Sequence, residues 1–264
     1  MIGIIDKFFL KKPKLRRFVT KIIAGKNNKK VDLFGATLII NSTDEHGYLR
    51  SSRFVNASAL LREELPVLFN LGSLLEKNDT FIDVGANIGI FSVVLSRLNN
   101  LGKNIEFYAY EANPKTYQRL KQNCLSLPIE AKNIAISNHS NELTFVEGAV
   151  SHVFTNIENK SEYSFSDKKV TVPCTSLDKQ RIKSDSIILK IDVEGQEMEV
   201  LQGAEMLFSK KRIKAVFIDG FNDESLPSFM GNFGFKLLNA KTLLPYDGYS
   251  QQILAIKNNL RTDL

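Results

Sequence analysis

Six short apolar runs, each closed by a polar residue or a glycine, recur along most of this 264-residue chain: 80–84, 105–110, 129–137, 187–191, 215–218 and 253–256. Apolar residues at helical spacing fill several of the gaps, at 88–98, 114–124 and 197–208. A strand too apolar to alternate needs cover on both faces, and helices between the strands supply it. The pattern predicts an α/β fold, a mainly parallel sheet with helices on both sides. Residues 138–175 break the rhythm with short segments rich in Ser and Asn, read as β-hairpins or loops close to a substrate site. Ahead of the first run, residues 31–55 alternate loosely around a polar turn at 41–47. That predicts a β-hairpin, with a helical stretch from about residue 56.

Charge is divided unevenly. The net charge is +6, yet the first thirty residues hold ten Lys and Arg against Asp6 alone, so the rest of the chain is −3. Ile2, Ile5 and Phe9, then Leu15, Phe18 and Ile22 beyond Pro13, put apolar groups on one helical face and basic groups on the other. Such a helix lies on an anionic membrane surface, docks on a partner or packs against its own domain. Residues 1–24 are thus the candidate for a peripheral membrane contact. Asp6 and Lys7 interrupt the first apolar stretch and the basic cluster follows it, which disfavours a secretion signal. The expected location is cytoplasmic, with contact at the inner face of the membrane. Cys124 and Cys174 are expected to be buried free thiols. The acidic body and the lack of a stacked-aromatic platform argue against a nucleic-acid partner. The expected organisation is an extension over 1–60 (helix plus hairpin), a ligand-binding domain over 61–258 and a tail over 259–264.

Three motifs carry chemistry. The first, FIDVGANIGIFSVVLSR at 81–97, is a strand, a turn and a helix. Gly85 permits a sharp turn, and Ala86 and Gly89 let backbone approach a ligand closely. The second is Glu111, 22 residues after Gly89 at the end of the next strand. A carboxylate there is placed to accept hydrogen bonds from ribose hydroxyls. Asn113 and Pro114 then open a helix. The loop lacks the GxG step of dinucleotide sites, which speaks against a nicotinamide oxidoreductase. Asp83 before it suits the ammonium and sulfonium of S-adenosylmethionine better than a pyrophosphate. The third motif, ILKIDVEGQEMEVLQGAEMLF at 188–208, delivers Lys190, Asp192 and Glu194 around a strand end. Ligands of parallel sheets bind outside such ends.

Taken together, DVGANIG, YEANP and KIDVEGQE…VLQGA, with VPCTSLD at 172–178, resemble the FkbM-type family of class I S-adenosylmethionine-dependent methyltransferases. The resemblance implies a seven-stranded Rossmann-like sheet and O-methyl transfer, commonly to sugars or hydroxylated natural products. It also implies roles. Asp83, Gly85, Ala86, Asn87 and Gly89 hold the methionine part, Glu111 binds the ribose, and Asn133 and Ala135 flank the adenine. Asp192 and Glu194 face the methyl group or the acceptor. One departure is Asp219, where family members often carry Glu.

A hydroxyl acceptor must lose a proton, to a side chain or with a metal's help. Asp192 is the first candidate base and His152 the alternative, since a histidine titrates near working pH. Asp192 and Asp219 together are the candidate ligands for a divalent metal. The expected activity is methyl transfer to a hydroxyl of a sugar, glycan or related small molecule. The alternatives are a non-catalytic S-adenosylmethionine-binding module in a glycan-assembly complex and a nucleic-acid methyltransferase.

Overall fold

A computed structural model of the chain describes residues 18, 22, 24–53, 59–99, 104–147, 154–156, 169–193, 195–221 and 223–258. Most of the basic N-terminal segment, the tail over 259–264, His152 and Glu194 lie outside the described residues.

Strands β1 (Asn28–Leu33) and β2 (Ala36–Asn41) pair antiparallel with Leu33 opposite Ala36. Phe34 and Gly35 between them have φ of 50° and 76°. Two left-handed residues match the twist of the flanking strands, so the hairpin turns here. The turn expected at 41–47 is instead the entry to a helix. The Asn41 side chain accepts from the N–H groups of Thr43 and Asp44, and the chain continues into α1 (His46–Arg53). Helix α2 (Ala59–Leu74) follows, so a boundary at residue 60 falls inside it.

The large sheet has seven strands in the order β12-β13-β11-β10-β3-β4-β5. They are β3 (Thr80–Val84), β4 (Glu106–Tyr110), β5 (Ile129–Lys132), β10 (Ile187–Ile191), β11 (Ile213–Asp219), β12 (Phe235–Asn239) and β13 (Gln252–Lys257). All run parallel except β13, inserted antiparallel between β11 and β12. Central β3 and β10 are buried at every residue, including the Asp83 and Lys190 that interrupt their otherwise mostly apolar sequences. Successive residues serve opposite faces. Phe81 belongs to the core that also holds Leu38, Ile40, Leu71 and Phe91, while Ile82 belongs to the one that holds Leu189, Leu201 and Phe208. The hairpin shares a core with the sheet.

The predicted run over 129–137 divides at Asn133. Its second half, β6 (Ala135–Ile136), joins β7 (Asn141–Glu147), β8 (Phe154–Asn156) and β9 (Lys169–Thr175) in a second sheet of order β6-β9-β7-β8. Helices α3 (Ile90–Asn99) and α4 (Pro114–Cys124) follow β3 and β4. The single helix expected over 197–208 is two, α5 (Glu197–Gln202) and α6 (Glu205–Ser209), parted at Gly203. Asp178 caps the second from outside, its carboxylate accepting from the N–H groups of Met206 and Leu207 at 2.9 and 3.0 Å. Helix α7 (Leu226–Asn232) precedes β12.

Candidate active site

The glycine loop leaves β3 at the centre of the sheet. The N–H groups of Gly85 and Ala86 both donate to the Tyr110 carbonyl, at 3.0 and 2.9 Å, which pins the loop to the end of β4. Gly85 has φ of 74°, and a Cβ there would stand 1.8 Å from the Asp192 carbonyl oxygen. The ends of β3 and β10 therefore touch at a point where no side chain fits. A Cβ on Gly89 would meet Leu120 of α4 at 2.6 Å.

Asp83 is fully buried beneath this loop and does not line the cleft described below. Its Oδ1 lies 2.9 Å from Lys190 Nζ, and its Oδ2 accepts from Ser92 Oγ at 2.8 Å. The Lys190 ammonium also donates to the Gly85 carbonyl at 3.3 Å and stands 3.5 Å from Asp192. Burial alone would lower the Lys190 pKa, but Asp83 and Asp192 more than offset this and raise it. The role expected of Asp83, facing a cofactor ammonium, is thus taken up inside the protein. It neutralises a lysine that the sequence placed in the middle of a buried strand.

Glu111 stands half-buried at the end of β4. Its Oε2 accepts from the Asn87 N–H at 2.8 Å and its Oε1 from the Asn113 N–H at 2.7 Å. One carboxylate thereby joins the glycine loop to the start of α4, which the Asn113 side chain caps through Lys115 and Thr116. Burial pushes the Glu111 pKa up, against the pull of the two amides. Asn133 acts through the backbone, its amide donating to the carbonyls of Glu111 and Ala112 at 2.8 and 2.9 Å. Ala135 stands on the wall of the cleft.

These parts border a cavity of about 270 Å³. Gly85 and Asn87 form one edge and Glu111 and Thr116 another, with Ile134, Ala135 and Ile136 beside them. Leu143 and Phe145 of β7 supply an apolar wall, and Asp192 and Gln196 close the β10 side. The residues over 138–175 thus reach the cleft through β7, as their sequence led us to expect. Asp44 and Glu45, from the segment before α1, complete the lining. Four lining residues are carboxylates and none is Lys, Arg or His. Glu45 is itself buried in an ion pair with Arg119 of α4. A ligand with hydroxyls and a positive charge fits such a cleft, and a pyrophosphate does not.

Asp219 does not reach the lining, and its Oδ1 accepts from Gln252 Nε2 at 2.9 Å. Among the described residues no three His, Cys, Asp or Glu side chains gather as a metal site. Nor is any helix among them long and apolar enough to cross a membrane. Sequence reading missed Asp44 and Glu45, which it assigned to a hairpin turn, and gave Lys190 no partner. The signal for Lys190 was present, since a charge in a doubly buried strand needs an opposite one.

The sheet order, the antiparallel β13, the glycine loop after β3 and the carboxylate after β4 define a Rossmann-like fold of the class I methyltransferase type. The family model of the methyltransferase FkbM domain matches residues 83–237, and the chain belongs to that family. It is 28% identical over 149 residues to the hexuronic acid methyltransferase AglP of Haloferax volcanii, a match spanning 54% of this chain and 57% of that protein. The chain thus spans little more than half the length of this relative. Among solved structures, a TehB-like SAM-dependent methyltransferase from Corynebacterium glutamicum aligns with TM-score 0.42 and 13% identity over 80% of this chain and 97% of its own. A precorrin-6y C5,15-methyltransferase from Geobacter metallireducens aligns with TM-score 0.39 and 12% identity over 74% and 88%.

Proposed function

We propose that the protein transfers a methyl group from S-adenosylmethionine to a hydroxyl of a sugar, glycan or related small molecule. The observation that carries this reading is Glu111. Both of its oxygens are oriented by backbone amides, one from the glycine loop and one from α4, at the rim of a cleft whose charged lining is wholly acidic. Its remaining lone pairs suit the two ribose hydroxyls. The name of the AglP relative supports a carbohydrate acceptor. When bound, the cofactor supplies an electrophilic methyl on a sulfonium, a cation that the acidic cleft favours.

This chain's residues would do the rest. Gly85 and Asn87 present backbone to the methionine part, and Ala135 borders the adenine. Asp192, its carboxylate one-third exposed and steadied by Lys190, accepts the acceptor's hydrogen bond and orients its oxygen. Glu194 would stand beside the acceptor. Because the leaving thioether is neutral, positioning supplies much of the acceleration. Asp192→Asn is therefore expected to lower turnover by at least ~100-fold. Its affinity for S-adenosylhomocysteine, measured by calorimetry, should stay near that of the wild type. Turnover close to wild type would remove Asp192 from the role.

A further inference from the structure

The residues described ahead of β1 show which way the basic amphipathic segment turns. Phe18, Ile22 and Ala24 are helical. Four residues apart on a helix, Phe18 and Ile22 share a face, whereas Ala24 lies about 200° further round than Ile22. Ala24 is buried, in the core that also holds Val31, Leu33 and Leu38 of the hairpin. Phe18 and Ile22 stand out from the protein, 61% and 68% exposed. Just after Ala24 the chain is tied down by Ser42, which is fully buried at the end of the hairpin. Its Oγ donates to the Gly25 carbonyl and accepts from the Asn27 N–H at 3.3 Å. The face that carries Phe18 and Ile22 is therefore not packed against its own domain.

A single exposed apolar residue needs no explanation. These two continue the apolar spacing of a segment whose first thirty residues hold ten Lys and Arg against Asp6 alone. Lys26 and Lys30, which follow the helical residues, are themselves exposed. Nucleic-acid phosphates would use the cations and leave Phe18 and Ile22 in water. A second copy docked through the same face would bring like charges together. An anionic bilayer uses both features, since apolar side chains enter the acyl boundary while Lys and Arg stay at the headgroups.

We propose that the face marked by Phe18 and Ile22, with the Lys and Arg of the same segment, is a docking surface for a membrane rich in anionic phospholipid. Apolar insertion and headgroup attraction then act together, and removal of either weakens the contact. The proposal stands apart from the methyl-donor reading, and neither depends on the other.

Co-sedimentation of the full-length protein with vesicles tests it. One set of vesicles is phosphatidylcholine alone, and the other is equal parts phosphatidylcholine and phosphatidylglycerol. The anionic set should bind at least ~10-fold more tightly than the neutral one, and added salt should weaken that binding. Phe18→Ser combined with Ile22→Ser should lower affinity for the anionic set by at least ~10-fold. Its thermal unfolding midpoint should match that of the wild type, since both side chains are exposed. Lys26→Glu combined with Lys30→Glu should also weaken binding to the anionic set. Phe69→Ser, at a 62% exposed position of α2, is the control and should bind as the wild type does. Failure to bind the anionic vesicles, undiminished binding by the Phe18 and Ile22 double variant, or an equal loss in Phe69→Ser would overturn the proposal. So would a lipid-free dimer, seen by sedimentation equilibrium, that the same double variant dissolves, because the face would then belong to a second copy.

Discussion

Asp83 and Lys190 are among the most buried charges in the described structure, with side-chain exposures of 0% and 3%. Their attraction offsets the cost of taking both from water only while both are present. Lys190→Met should accordingly cost about 3–5 kcal/mol in urea denaturation, because it strands the Asp83 carboxylate. Adding Asp83→Asn should recover most of that loss. A double variant no better than Lys190→Met would mean that the lysine contributes packing and not charge. The sequence displayed both residues but not their pairing. Asp83 precedes a glycine loop, where an acidic group is readily read as a ligand for the cofactor. Only the register, with Lys190 directly beside Asp83 on neighbouring strands, turns it inward.

Elements were legible where one local rule governed them. The runs at 80–84 and 187–191 are strands β3 and β10 to the residue, because a short, mostly apolar run closed by polar or glycine residues marks a central strand even with one charge inside it. Long-range contacts reset the others. β5 ends early because Asn133 bonds across to the carbonyls after β4, and β12 escaped notice because FKLLN is short and half-polar. Helix α4 also extends the hairpin, its Asn123 side chain accepting from the Ile39 N–H at 2.7 Å and donating to the Ile39 carbonyl at 3.1 Å. At the strand-end contact, Gly85→Ala would press a methyl group into the Asp192 carbonyl, a backbone atom that can move only with β10. The expected cost is about 3 kcal/mol or more, with loss of S-adenosylhomocysteine binding. Gly220→Ala is the control, with φ of 83° but nothing within 4 Å of the new Cβ. Strain alone should cost it about 1–2 kcal/mol, with binding intact. Equal losses in the two variants would refute the close contact as the reason for Gly85.

Across the whole molecule, the hairpin and α1 complete the cleft. They bring Asp44 and Glu45 to its wall, and the buried Glu45–Arg119 pair fastens that wall to α4. Arg119→Met should take the guanidinium away from the buried Glu45 carboxylate and cost about 3 kcal/mol. Amides of β1, β2 and α1 should then exchange faster while those of β3 and β10 keep their protection. Uniform acceleration would show that the hairpin and sheet open together. The central claim is that this acidic cleft binds the S-adenosyl group. Calorimetric titration of the purified protein with S-adenosylhomocysteine, with NADH as control, tests it most directly. Micromolar binding of the thioether, weakened at least ~10-fold by Glu111→Ala, and no binding of NADH is the result expected here. Binding of NADH, or of neither ligand, would contradict it.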